Sequence, residues 1–318
     1  MSSAISMHKT TNPIERVVKL SVNGIICLDK PQNITSFACC SVFRRLLNTK
    51  KIGHAGTLDP MATGVLPLLV GQATRALDYM PVHDKRYTAT LRFGYVSDTQ
   101  DIWGSMTATG CPLPLFGDIN AALTSFRGQI EQIPPMVSAV RHQGVKLYKL
   151  ARQGIEVERK ARPVTIYSLD VIDYDQKTGE LKLDCHCSKG TYIRTLCADL
   201  GEMLGCGAVM SSLRRTMAAG FVLKQCITMD EAHKLAEKGL LECKLNSIES
   251  VFQDYNCVTV TSAQAKRFIN GGALLLDRLN KRVDGITRVN SPDGTFLGLG
   301  RPENDELKIL KLFHGGGN

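Results

Sequence analysis

The residues in this chain best placed to do chemistry lie in one stretch, Gly53-His54-Ala55-Gly56-Thr57-Leu58-Asp59-Pro60-Met61-Ala62-Thr63-Gly64. It offers one carboxylate and one imidazole from a backbone with three glycines, just ahead of the apolar run Val65–Val70. Glycine opens backbone shapes closed to other residues. Pro60 drives Asp59 out of the helical region and fixes the chain behind it. A rigid loop presenting Asp59 and His54 at the rim of a packed element is the expected result. A carboxylate held in this way can act as a nucleophile or stabilise a developing positive charge. An Asp-Pro pair is also a common turn starter, and a histidine among glycines is often only a loop hydrogen-bonder.

Three further segments could complete such a site. Tyr87 opens an alternating run in which Tyr87, Ala89, Leu91 and Phe93 share one face, the pattern of a half-buried strand. Ser188-Lys189-Gly190-Thr191 can start a helix with Ile193, Leu196, Cys197, Leu200 and Leu204 as its apolar stripe. That places Tyr192 and Arg194 in its first turns, where an arginine and a positive helix terminus suit an anion or a carboxylate. An arginine close to Asp59 would keep it ionised. The third segment is charge-dense: Arg141, His142, Lys146, Lys149, Arg152, Arg159, Lys160 and Arg162 follow Pro134-Pro135, with Gly144 and Gly154 between them. It reads as a basic lid over a polyanionic strand or as a solvated insert.

The elements that must hold these residues follow from periodicity. A strand is expected at Gly24–Leu28, then a helix capped by Thr35 or Ser36 and running to about Asn48, with Arg44 and Arg45 off its apolar face. A helix from Gly71 to about Met80, a loop over 97–117, and a helix stopped by Gly128 come next. Strands are expected at about 164–172 and 180–187, and a capping box at Thr228–Glu231 opens a short helix. Beyond about Phe252 the texture becomes mostly β, with a helix capped by Ser262 and a hairpin signal at Pro292-Asp293-Gly294.

Composition narrows the class. In 318 residues, 43% are hydrophobic and 22% charged, ordinary for a soluble globular chain, and the formal net charge of +9 favours a polyanion, nucleic acid before acidic membrane. Eleven scattered cysteines without paired C-x-x-C spacing read as reduced small hydrophobes in a reducing compartment. No apolar run is long enough to span a membrane, and no signal-peptide core opens the chain.

Taken together, the motifs resemble the TruB family of tRNA pseudouridine synthases. The resemblance rests on Gly53–Pro60 with Ala62-Thr63-Gly64, Gly24–Pro31, Lys85-Arg86-Tyr87, Gln132–Ala139, Ala151–Val157, Cys187–Arg194 and Leu213-Arg214-Arg215, in that family's order. It implies an α+β pseudouridine synthase fold with a central, mostly antiparallel mixed sheet, over residues 23–252. It also implies a basic insert at about 134–163, a small PUA-like β-rich RNA-binding domain at 253–318, and a flexible tail at 1–22. The implied activity is isomerisation of uridine to pseudouridine at position 55 in the T loop of tRNA. That chemistry breaks the C1′–N1 bond, turns the base and rejoins it through C5, so no metal or cofactor is expected. By the same resemblance Asp59 is the nucleophile, Arg194 holds it, and Tyr87 stacks on the uracil. His54 packs where bases leave the stack, Tyr192 and Leu213 line the base pocket, and Lys30, Arg44 and Arg45 hold phosphates. Where the family often carries an acidic residue, this chain has Trp103. The insert is of the stand-alone bacterial type, so no guide RNA is expected, and a cytoplasmic monomer is implied. The rival reading is a tRNA-binding folding chaperone, which would not need Asp59, Tyr87 and Arg194 together. A glycosidase would need a second placed carboxylate.

Overall fold

The computed structural model describes residues 22–138 and 140–313, so the expected N-terminal tail lies, but for Val22, outside the described residues. The apolar run at Gly24 forms β1 (Gly24–Lys30). Thr35 caps α1 (Ser36–Leu46) by accepting from the Ala38 amide, and Cys39, Cys40 and Phe43 turn inward. The glycine-rich loop runs from β2 (Ile52–His54) into β3 (Thr63–Val70), which is buried from Gly64 onward. The expected strand at Tyr87 is β4 (Lys85–Phe93), with Tyr87, Ala89, Leu91 and Phe93 buried.

Between these, the structure departs from the expected helix at 71–80. Gly71–Arg75 and Leu77–Tyr79 are two short 3-10 turns. Pro81 follows, and the residue before a proline is pushed out of the helical region; Met80 is extended at ψ 130°. Residues 97–117 are not all loop: β5 (Tyr95–Ser97) and β6 (Met106–Ala108) pair as a small hairpin, too short to show a period. Helix α2 (Phe116–Thr124) ends before Gly128, which instead opens β7 (Gly128–Gln132) at φ +87°. The basic insert contains a hairpin, β8 (Arg141–His142) with β9 (Val145–Lys146), and the short helix α3 (Leu147–Ala151).

The strands β10 (Arg162–Asp175) and β11 (Glu180–Cys187) follow. Helix α4 (Ile193–Met203) starts with its apolar stripe, later than the expected start at Ser188–Thr191, with Tyr192 at the N-cap position. Ser188 is spent elsewhere: its hydroxyl accepts from the Thr165 amide at 2.9 Å and its carbonyl accepts from the Thr191 hydroxyl at 3.0 Å. Then come β12 (Ala208–Ala218), β13 (Phe221–Val222) and α5 (Met229–Glu237), the last opened by the expected capping box at Thr228 and Glu231.

The main sheet has the order β1-β3-β12-β4-β11-β10-β7, with β2 on β3 and β13 on β12. All of its pairings are antiparallel except β3 with β12, which meet in parallel at Thr63↔Arg214 and Gly64↔Arg215. One face packs Phe43, Leu66, Leu91, Leu183 and Leu196 into the larger core.

The C-terminal unit is β-rich: β14 (Asn256–Thr259), α6 (Ser262–Ile269), β15 (Leu274–Leu275), β16 (Thr287–Asn290), β17 (Phe296–Glu303) and β18 (Glu306–Leu312). Its sheet has the order β14-β16-β17-β18-β15. Thr261, not Ser262, caps α6, in a reciprocal box with Gln264. A second core joins this unit to the main sheet: Ile25, Val65, Val251 and Phe252 pack with Leu299, Phe296 and Phe313. Phe252 stacks on Tyr255 at 6.1 Å and touches Phe313 at 5.6 Å between ring centroids.

Candidate active site

The Asp59 loop is held from several directions, by groups remote in sequence. Ser36, the first residue of α1, donates its hydroxyl to the Leu58 carbonyl at 3.0 Å and accepts from the Leu58 amide at 2.8 Å. The Asn33 amide donates to the Pro60 carbonyl at 2.9 Å. From β12, the wholly buried Arg215 donates to the carbonyls of Gly56 at 3.0 Å, Thr57 at 3.3 Å and Val65 at 2.8 Å. Gly64, at φ +104°, is what lets β12 approach: a Cβ there would stand 2.1 Å from the Arg215 carbonyl oxygen. Few degrees of freedom remain for the segment that ends in Asp59.

The structure brings Asp59 and Arg194 together. Nε of Arg194 lies 3.0 Å from Oδ2 of Asp59, the arginine side chain 4% and the aspartate side chain 37% exposed. The guanidinium is thus desolvated beneath a carboxylate that still faces the opening. Its other nitrogens donate to the carbonyls of Thr99 at 3.0 Å and Val137 at 2.8 Å. A second carboxylate, Asp101, sits 3.7 Å from the same Nε. Asp101 is buried and accepts from the Thr99 hydroxyl at 2.6 Å and the Trp103 amide at 3.0 Å. One buried guanidinium therefore serves an outward and an inward carboxylate, and each of its donors is aimed.

Sequence reading missed Asp101, because an aspartate in a Ser-Asp-Thr-Gln-Asp run looks like turn chemistry. It missed Arg215, whose neighbour Arg214 pairs with Asp29 at 2.7 Å in an ordinary half-exposed ion pair. It also missed Gln132, which is buried and brackets Tyr192: its amide donates to the Tyr192 carbonyl at 3.0 Å, and its oxygen accepts from the Tyr192 amide at 2.7 Å. Its place at the head of the Gln132–Ala139 motif was the available signal for it.

Tyr87 lies inside, 5% exposed, with its phenol against Arg215. Burial pushes its hydroxyl up to about 12, so it carries its proton at neutral pH. His54 ends β2 half-buried, and burial, with Arg215 nearby, lowers its imidazole below the usual range and keeps it neutral. Burial raises the Tyr192 phenol, against an opposing contact with Ser138. Leu213 is buried in β12 opposite Ala89.

The three cations expected on phosphates divide. Lys30 is wholly buried, its ammonium donating to the carbonyls of Pro31 at 2.8 Å and Pro60 at 3.3 Å, so it braces the Asp59 loop and presents nothing to a phosphate. Burial pushes it down to about 8. Arg44 is half-buried and turns inward, donating to the Ile52 carbonyl at 2.9 Å and the Ser41 hydroxyl at 3.2 Å. Only Arg45 stands exposed. In both corrected cases a carbonyl within reach captured a donor that the family resemblance assigned to a phosphate.

Comparison with known proteins is consistent with this geometry. Residues 44–193 match the family described as TruB family pseudouridylate synthase, N-terminal domain, and residues 194–253 match the tRNA pseudouridylate synthase B C-terminal domain. A protein of Pseudomonas fluorescens named tRNA pseudouridine synthase B is 42% identical over 91% of this chain and 94% of its own. One of the same name from Escherichia coli K12 is 39% identical over 89% of this chain and 92% of its own. Among solved structures, a Cbf5-Nop10-Gar1 complex aligns with a TM-score of 0.70 at 24% identity, covering 92% of this chain and 85% of that one. An H/ACA RNP bound to a substrate RNA containing 2′-deoxyuridine aligns with 0.70 at 22% identity, covering 96% and 92%. These two share the fold. With relatives at about 40% identity across nine-tenths of its length, this chain belongs to the TruB family and is a pseudouridine synthase.

Proposed function

We propose that this enzyme isomerises uridine 55 in the T loop of tRNA. The observation that carries the reading is the Asp59–Arg194 contact at 3.0 Å, a half-exposed carboxylate aimed by a buried guanidinium. The target uridine leaves its stack at a cost of roughly a few kcal/mol. Asp59 then acts as the nucleophile on the sugar–base unit. The C1′–N1 bond breaks, the uracil turns, C5 bonds to C1′ as the link to Asp59 is released, N1 takes up a proton, and the C5 proton is lost to solvent. Tyr87, protonated and buried beside Arg215, bounds the base from below, and Tyr192 and Leu213 line its pocket. His54, neutral on the rim, packs where the extruded base was. Arg45 and the basic insert at about 134–163 hold phosphates.

The remaining parts of the reading follow from the family. The catalytic unit spans 23–252, and the β-rich unit at 253–318 is a PUA-like RNA grip. The enzyme acts as a monomer, without guide RNA, in the cytoplasm. No described helix is long and apolar enough to cross a membrane.

The test is tritium release from an unmodified tRNA transcript labelled at uridine C5. Release by wild type of one equivalent per tRNA, and none by Asp59→Asn, is expected. Asp59→Asn removes charge and keeps shape, so its tRNA affinity stays within several-fold. Release by Asp59→Asn at the wild-type rate removes Asp59 from the nucleophile role. Binding without release by either protein favours the chaperone reading.

A further inference from the structure

Two cavities flank the turn between β11 and α4. The first, of about 350 Å³, is bounded by Ala55 and Gly56 of the Asp59 loop and by Asp78, His83, Lys85 and Lys189. The second, of about 230 Å³, is bounded by Gln132, Arg162, Lys189, Gly190 and Tyr192. Lys189, exposed at the tip of the turn, walls both. Asp59, Tyr87 and Arg194 line neither, yet each cavity abuts a segment that carries them. Lys85 stands two residues before Tyr87 and Gly56 three before Asp59, while Tyr192 stands two before Arg194.

The charge in these cavities is mostly positive, and no ion pair among the described residues offsets it. Among the described residues, no carboxylate forms an ion pair with Lys85, Lys189 or Arg162. Asp78 is the one carboxylate bounding the first cavity, and none bounds the second. Asp84, next to Lys85 in sequence, accepts from the Tyr167 hydroxyl at 3.2 Å. The Lys85 ammonium gives a single hydrogen bond, to the His83 carbonyl at 2.8 Å, and two of its N–H groups stay unspent. Its neighbour is another cation: a Cβ on Gly56 would meet Lys85 Cε at 3.3 Å and Arg215 Nη1 at 3.5 Å. Burial and that guanidinium push Lys85 down to about 8. A half-buried ammonium beside a guanidinium, with no carboxylate on it, is costly until an anion arrives.

One isolated anion would need one cavity. Two cationic cavities sharing a lysine, each against a reactive segment, suit consecutive anions on one chain. We propose that Lys189 bridges two phosphodiester subsites, one completed by Lys85 and His83 and the other by Arg162, which hold the RNA strand on the two sides of the nucleotide presented to Asp59. The proposal rests on the reading of this enzyme as one that acts on RNA.

The test measures binding of the full-length protein to an unmodified tRNA transcript across about 50–200 mM KCl, for wild type, Lys189→Gln, Arg162→Gln and Lys177→Gln. Each single-strand phosphate contact contributes about 0.7 to the slope of log affinity against log salt. Lys189→Gln and Arg162→Gln should each flatten the slope by about 0.7, one charge apiece, with weaker binding at every salt. Lys177, exposed in the β10–β11 turn away from both cavities, is the control and should leave the slope at the wild-type value. A Lys189→Gln slope equal to that of Lys177→Gln overturns the bridge while the RNA reading stands. A wild type that neither binds nor isomerises the transcript overturns both.

Discussion

Arg194→Lys separates charge from aim at the active site. Lysine keeps the positive charge and cannot reproduce the planar fork. The wild-type guanidinium spends one nitrogen on Asp59 at 3.0 Å and the other two on the Thr99 and Val137 carbonyls at 3.0 and 2.8 Å. Hydrogen bonds from a charged donor contribute about 1.5–3 kcal/mol each, and lysine recovers at most one of the two carbonyls. The variant should therefore lose about 1.5–3 kcal/mol of stability, read as a lower urea midpoint at an unchanged slope. The carboxylate keeps a counter-charge and loses its orientation. Removing one preorganised electrostatic contact of this kind typically costs 10²–10³ in turnover, about 2.7–4 kcal/mol. Single-turnover tritium release with enzyme in excess over labelled tRNA isolates this step from product release. A folded Arg194→Lys that turns over within tenfold of wild type would refute the claim that aiming, beyond charge, is what Arg194 supplies.

Three other outcomes follow from the packing. Gly64→Ala should give little folded protein, because its Cβ would stand 2.1 Å from a backbone oxygen and 2.8 Å from a backbone nitrogen of Arg215; soluble yield and circular dichroism check this. Phe252→Ala, at a fully buried ring shared by the two units, should cost about 3–5 kcal/mol in urea unfolding. A loss under 1 kcal/mol would mean that the seam repacks. Lys30→Met should change how stability depends on pH. The folded chain holds the Lys30 proton with a pKa of about 8, below the ordinary 10.5, so the unfolded chain binds more protons between those values. Wild-type stability should therefore rise relative to Lys30→Met as pH climbs from about 8 to about 10. A constant difference would show that Lys30 is not the titrating group.

The legibility of this molecule in its sequence follows the range of its interactions. The Asp59 loop was readable because its glycines, proline and carboxylate sit within a dozen positions. The strand at Tyr87 was readable from a period of two, and the capping box at Thr228 and the cap of α6 are local hydrogen bonds, though the latter lies one residue earlier than expected. The 3-10 turns at 71–79 were not, because apolar spacing over so short a run fits several helical forms. Arg194 was assigned to Asp59 by family resemblance, and nothing local distinguishes it from a surface arginine. Arg215 and Gln132 act through partners far away in the chain, and Asp101 meets Arg194 across such a distance, where no window of sequence reaches. Lys30 and Arg44 show the converse limit: charge is visible in sequence, and the direction in which a long side chain spends it is not.

The parallel seam between β3 and β12 has a temporal consequence. Arg215 reaches the loop from about 150 positions downstream. A chain growing from its N-terminus thus completes α1, β3 and β4 long before the strand that locks the Asp59 segment exists. Contacts of such separation are late and slow to form. Competence for chemistry consequently arrives with one of the last core strands, so a truncated product ending before β12 carries the nucleophile but not its clamp.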